Sequence, residues 1–235
     1  MKPIKLTLLL SILSLNACAD NKIASIPEAS GISYCKNSNS LIVANDEGSF
    51  YELTLDGAII AQHKLGKYDL EGVVCEKYHL IFAVEDGALL KVNRETLKVK
   101  EFKIEGAGFK FSKKSGIEGI TKIDDLYCLS IQAKKAKKSK LLFVKLKKRS
   151  AKVVKSITHG IIDSAGMQYH KKKLYIVSDK KDKLYIYNLK KREIEKKIKL
   201  SKFAQEGITF DNNNHLYFAD DDGAVMKYQA KELAL

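Results

Sequence analysis

Five glycines constrain this chain more than any other feature. Gly31, Gly72, Gly119, Gly166 and Gly207 stand 41, 47, 47 and 41 residues apart. Each opens a short apolar run: "GISYC", "GVVCE", "GITKI", "GMQYH" and "GITFD". A second run follows seven to ten residues later: "LIVANDEG", "LIFAVEDG", "LYCLSIQ", "LYIVSDKK" and "LYFADDDG". A third comes next, as in "SFYELTL" and "KLYIYNL", and then a more polar fourth, as in "KVKEFKI" and "EIEKKIKL". These are short β-branched and aromatic segments separated by turn residues, which is the pattern of strands. No sustained helical stripe interrupts them, and only two prolines occur in the whole chain.

Four strands in a unit of about 44 residues is a propeller period. The expected fold is all-β, a five-bladed β-propeller with four-stranded blades. The fifth unit stops after its third strand, near Tyr228. Its missing outer strand is expected from Lys22 to Ile26, so that the two ends of the chain pair and close the ring. A β-sandwich is the alternative, and the regular self-similarity argues against it.

In such a ring, the start of each inner strand and the end of each second strand meet at one mouth. The residues just before the five glycines are Ser30, Glu71, Glu118, Ala165 and Glu206. Two places earlier stand Glu28, Asp69, Gly116, Asp163 and Ala204, which alternation puts on the same strand face. Units one and four lack a glutamate beside the glycine and carry Glu28 and Asp163 instead. The fifth residue after each second-strand leucine is Asp46, Glu85, Ile131, Asp179 or Asp221. Carboxylates from every unit therefore converge on one mouth. Like charges so crowded need a counter-ion. Oxygen donors without histidine or cysteine suit a hard cation, and Ca²⁺ takes roughly six to eight oxygens. The expected ligands are Glu71, Glu118, Glu206, Asp163 and Glu28. Asp46, Glu85, Asp179 and Asp221 are candidates for the rim, although turn acids such as Asp46-Glu47-Gly48 also suit ordinary β-turn chemistry.

At these residues the chain resembles the SdiA-regulated, YjiK-like family, distant relatives of NHL-repeat propellers. The match is carried by "EASGIS", "DLEGV", "GIEGI", "DSAGM" and "QEGI", and Ala165 stands where the family usually shows serine. The resemblance implies a five-bladed propeller, a Ca²⁺ site and a location in the cell envelope.

The N-terminus points the same way. Lys2 and Lys5 stand at the start of an apolar stretch that runs into Leu15-Asn16-Ala17-Cys18. This reads as an export signal over residues 1–17, of lipoprotein type, with Cys18 lipidated and residues 18–235 forming the propeller domain. Ala19 carries no inner-membrane retention acid, so the outer membrane is expected, facing the periplasm or exposed at the surface. The chain's net charge of +14 falls to about +12 without the signal. Export argues against nucleic acid as a partner. The lysine clusters "KKAKKSK", "SKKS" and "DKKDK" fall in loops at the acidic mouth, where they would attract phosphate or carboxylate, or serve simply as solvated hairpin tips.

Cys35 and Cys75 lie four and three residues past their glycines, on opposite strand faces, and are expected to be unpaired, as is Cys128. The five histidines form no metal-binding pair and are expected in turns or at the surface. Tyr175, Tyr185, Tyr187 and Tyr217 are expected to pack. The expected function is a monomeric Ca²⁺-binding propeller lipoprotein that binds a protein or a small anionic ligand. The alternative is a Ca²⁺-dependent hydrolase of phosphoesters or lactones at the acidic mouth, and a third reading makes the ion purely structural.

Overall fold

The computed structural model describes residues 21–235, so the export signal and Cys18 lie outside the described residues. The described residues form twenty strands. β1 (Lys22–Ala24) comes first, followed by the meander β2 (Ala29–Cys35), β3 (Ser40–Asn45), β4 (Ser49–Leu53) and β5 (Ile59–Lys64). The second meander is β6 (Leu70–Cys75), β7 (His79–Val84), β8 (Ala88–Asn93) and β9 (Val99–Glu105). The third is β10 (Ile117–Ile123), β11 (Leu126–Ile131), β12 (Lys140–Leu146) and β13 (Ser150–Thr158). The fourth is β14 (Met167–His170), β15 (Lys173–Ser178), β16 (Lys183–Asn188) and β17 (Glu193–Lys199). The last is β18 (Gln205–Phe210), β19 (His215–Asp220) and β20 (Ala224–Gln229). β1 pairs antiparallel with β20, so the N-terminal strand completes the fifth unit, as expected from the sequence.

The second and third units are not separate sheets. Their outer strands, β9 and β13, pair in parallel through Lys103, Ile104 and Glu105 against Ser150, Ala151 and Lys152. One eight-stranded sheet results, beside three sheets of four. β13 is nine residues long and carries a register shift opposite Phe143 and Val144. Such irregularities bend a strand, and its first three residues lie on β9.

Period-two patterning explains the core. Leu80, Phe82 and Val84 of β7 pack toward the first unit, with Ile42, Ala44 and Phe50. Ile81 and Ala83 of the same strand face the other way, toward Ile120, Leu129 and Leu142 of the third. The same alternation joins the third unit to the fourth, the fourth to the fifth, and the fifth to the first, where Tyr217 and Val225 meet Ile32 and Leu41. Middle strands are buried on both faces for this reason, whereas β5 and β17 at the rim are mostly exposed.

Hydroxyls stitch three of these junctions. Ser33 accepts the Cys75 N–H at 3.1 Å, Thr121 the Tyr169 N–H at 2.9 Å and Thr209 the Tyr34 N–H at 3.0 Å. Each hydroxyl lies two residues past its glycine and each N–H three past the next.

Two expectations are corrected. Cys35 and Cys75 form a disulfide, with Cα atoms 5.3 Å apart. The parity argument fails because they belong to different sheets. Where equivalent sheets stack face to face, the front of one meets the back of the next, so opposite faces are the ones that touch. His159 is buried rather than in a surface turn, edge-on to Tyr187 at 6.4 Å, and desolvation lowers its pKa to about 4. Cys128 is a buried free thiol, and Tyr185, Tyr187 and Tyr217 are buried in packing, as expected.

Candidate metal centre

Most inner strands start with an irregularity. The register shifts between Ala29 and Gly31 in β2, Leu70 and Gly72 in β6, Ile117 and Gly119 in β10, and Gln205 and Gly207 in β18. The residues caught in these shifts are Ser30, Glu71, Glu118 and Glu206. A bulge leaves one residue outside the ladder and re-aims its side chain. The glutamate of each Glu-Gly pair is that residue.

The glycine that follows is required by contact. A Cβ on Gly31 would lie 2.4 Å from the Gly72 Cα, and one on Gly166 would lie 2.6 Å from the Gly207 Cα. A Cβ on Gly119 would sit 3.0 Å from the Gly166 Cα, and one on Gly207 2.9 Å from the Ile32 nitrogen. Backbones of successive inner strands thus touch from the first unit to the fifth and back to the first. The five glycines, with Glu71 and Glu206, line a narrow channel between them.

Three acids converge most tightly. One carboxylate oxygen from each of Asp46, Asp69 and Glu71 lies within 4.8 Å of the other two. The Asp46 Oδ1 is buried and accepts no hydrogen bond. Glu118 and Glu206 line an adjoining recess with Gln132, Asp163, Asp179 and Lys180. Burial, followed by the charges of Glu118, Asp46, Asp69 and Glu206, pushes the Glu71 carboxyl far above the usual carboxylate range. Burial, then Glu85 and Asp163, raises Glu118 to about 8. Burial, then Asp69 and Asp221, raises Asp46 to about 7. Glu206 rises well above its ordinary value through burial and the charges of Glu118 and Asp179. The three glutamates and Asp46 therefore share one electrostatic site, although they come from positions 46 to 206.

The remaining sequence candidates divide. Asp163 already has a cation: its Oδ1 pairs with the Lys180 Nζ at 2.9 Å, and its Oδ2 accepts the Lys180 N–H at 3.1 Å. Glu28 is exposed, in left-handed backbone at φ 48°, and its carbonyl accepts the Asp46 N–H at 3.3 Å. Burial, and then the neighbouring Asp69, raises the Glu85 carboxyl above its ordinary value. Asp179 and Asp221 are also raised, each by burial first. Asp69, in the loop before β6, joins the tightest group although it was not among the expected ligands, since its unit already carried Glu71. Its signal is the "DLEG" spacing, which puts a second acid one loop residue before the strand. The donor set is all carboxylate oxygen, with one oxygen left orphaned, and it fits a hard divalent cation.

Solved structures of low identity share the β-propeller fold. A Myxococcus xanthus glutaminyl cyclase superposes with a TM-score of 0.69 at 10% identity, over 88% of this chain and 91% of that one. A streptogramin B lyase gives 0.50 at 12% identity, over 87% of this chain and 70% of that one. No curated protein sequence matches the chain. The model of the SdiA-regulated family matches residues 16–222 and so takes in all five glycine motifs and the acids around them. The chain belongs to the SdiA-regulated family.

Proposed function

We propose that this protein is a closed, five-bladed, calcium-binding β-propeller lipoprotein of the bacterial cell envelope, acting as a ligand- or partner-binding module. The grouping of Asp46, Asp69 and Glu71 carries the calcium reading. Three carboxylates this close, one oxygen of them buried without a donor, are mutually repulsive until a proton or a cation intervenes. Asp46, Asp69 and Glu71 would hold the ion, and Glu118 and Glu206 would add negative charge beside it. The cyclic run of glycine contacts and the core between the fifth and first units support five blades in a closed ring. The Cys35–Cys75 disulfide supports export, because such bonds persist in oxidising compartments. A lipid at Cys18 would hold the domain at the membrane; among the described residues no helix is long and apolar enough to cross one.

Thermal melting of the mature chain tests this. Ca²⁺ at about a hundredfold excess over Kd stabilises a native-state binder by ~2.7 kcal/mol. For a domain of this size that is a rise in Tm of roughly 5–10 °C, reversed by chelator. No rise, together with no calcium in metal analysis of the purified protein, removes the proposal.

The hydrolase reading draws on Glu118. Its carboxyl, raised by burial first, stands beside the Asp46 group rather than within it, where a general acid serving a Ca²⁺-bound substrate would sit. Turnover of chromogenic phosphoesters or lactones that vanishes in Glu118→Gln would select it.

A further inference from the structure

We propose that a lysine-lined cavity beside the acidic mouth binds an organic phosphate, meaning a phosphate or phosphonate group carried on a compact apolar or aromatic body. The cavity measures about 560 Å³. That is within the ordinary range for small-molecule sites, and far more than a bare anion fills. Three segments build it. The β9–β10 connection supplies Phe109 and Lys114, the end of β11 supplies Ile131 and the residues after it, and the β11–β12 connection supplies most of the cations.

The charge is one-sided. Lys114, Lys134, Lys135, Lys137, Lys138 and Lys140 line the cavity, and no acid does. Lysine ion pairs among the described residues involve Lys122, Lys145, Lys173, Lys180, Lys191 and Lys227, so none of the six has a carboxylate partner. Six lysines from three segments thus border one space that no carboxylate enters. An anion placed among them meets several cations at once. Ammonium groups are compact point charges that suit the oxygens of a phosphate without demanding the planar geometry of an arginine fork.

The floor supplies the second half of the ligand. Ile131 and Ala133 are buried, and Phe109 lies tilted against Phe111 with ring centroids 5.1 Å apart. The Lys140 Nζ lies 5.2 Å from the Phe109 ring centroid. An apolar body on that floor keeps its anionic group within reach of the cations around it. Gln132 lines both this cavity and the recess of Glu118 and Glu206, so the occupant would lie next to the acidic mouth. The inference rests on the ligand-binding half of the proposed function and is independent of its calcium half.

The test is calorimetric titration of the mature chain with 1-naphthylmethylphosphonate, whose P–C bond resists hydrolysis. It is expected to bind about tenfold or more tightly than either inorganic phosphate or 1-naphthalenemethanol, a difference of at least ~1.4 kcal/mol. Lys135→Gln combined with Lys137→Gln should weaken binding about tenfold, and Phe109→Ala should reduce it to the level of inorganic phosphate. Unchanged circular dichroism and melting show that these variants fold. Phosphonate binding no tighter than inorganic phosphate, or unaffected by the lysine substitutions, overturns the proposal. Vesicles containing phosphatidate, against phosphatidylcholine alone, identify the source. Vesicle binding that needs Lys135 and Lys137 and is displaced by the phosphonate makes the ligand a lipid headgroup. Phosphonate binding without vesicle binding makes it soluble, and vesicle binding that ignores both lysines, without phosphonate binding, sinks the site. The Ca²⁺-dependent rise in Tm, read on the same samples, separates the two halves. Its absence alongside phosphonate binding removes only calcium, and its presence without phosphonate binding removes only this cavity.

Discussion

The difference between glycine and alanine is one carbon, and at the channel that carbon has nowhere to go. A Cβ on Gly166 would lie 2.3 Å from the Glu206 carbonyl oxygen, a backbone atom that cannot swing aside. At Gly72 the nearest atoms are 3.1 Å away, one of them a side-chain methyl. Gly166→Ala should therefore cost about 3 kcal/mol or more and Gly72→Ala distinctly less, as overpacking does. Urea unfolding of both variants checks the order, and equal losses would mean that the inner strands are not in backbone contact. Glu71→Gln makes a two-signed prediction. Without metal, burial and its acidic neighbours keep Glu71 protonated, so near neutral pH folding must take up a proton the unfolded chain has released; Gln removes that cost, and the chelated variant should melt higher than the chelated parent. With Ca²⁺ it removes a ligand, so affinity should fall about tenfold or more, ~1.4 kcal/mol. Melts in chelator and in Ca²⁺ read both signs, and a variant that loses stability in both conditions would assign Glu71 a structural hydrogen-bonding role instead.

Alternation along β7 sends consecutive residues into two different cores, so each strand binds two neighbours at once. The bulges before Gly31, Gly72, Gly119 and Gly207 break that alternation at the mouth and turn the glutamates inward. At the other end of β2 and β6, the disulfide ties the first two units through a loop of 40 residues. Replacing Cys35 and Cys75 together by alanine should cost about 2–4 kcal/mol, because the unfolded chain regains the freedom the crosslink denies it. The Ca²⁺-dependent rise in Tm should survive, since the acids sit at the opposite ends of these strands. Denaturation with and without reductant measures the first effect, and a lost Ca²⁺ response in the double variant would show that the crosslink holds the metal-binding geometry.

For the whole molecule, the crowded mouth makes stability depend on pH. Asp46 and Glu118 titrate near about 7 and about 8 in the native state, against ordinary values of 3.8 and 4.5. Between those limits the native state binds more protons than the unfolded chain. Their contribution to the metal-free protein is therefore complete below about pH 4 and is lost as pH rises through about 7 to 8. Ca²⁺ favours the ionised carboxylates and acts in the opposite sense. In chelator Tm should fall from pH 5 to pH 8, and the rise on adding Ca²⁺ should be larger at pH 8 than at pH 5. Buried His159 contributes the opposite slope, since its pKa of about 4 makes it lose stability as pH falls below about 6.5. Replacing it with phenylalanine isolates the carboxylate term, and a chelated His159→Phe protein with a flat profile would argue against a shared acidic site.

The amino-acid sequence by itself determined the unit. The glycine spacing, the four runs per unit and a borrowed strand, expected from Lys22 to Ile26 and found at Lys22–Ala24, were all legible, because strand alternation and turn chemistry are local properties. So was the convergence of Glu71, Glu118 and Glu206, because identical positions in a repeat end up equivalent in space. Only the tertiary structure decided which acids draw closest together. Asp46 and Asp69 join Glu71 because a turn and a loop from neighbouring units meet there, while Asp163 is drawn to Lys180 by the local turn. The pairing of Cys35 with Cys75, the burial of His159 and the fusion of β9 with β13 likewise belong to the packing between units. A periodic pattern states which face of a strand a residue occupies. It does not state which face of the next sheet lies opposite, and that depends on how the units stack.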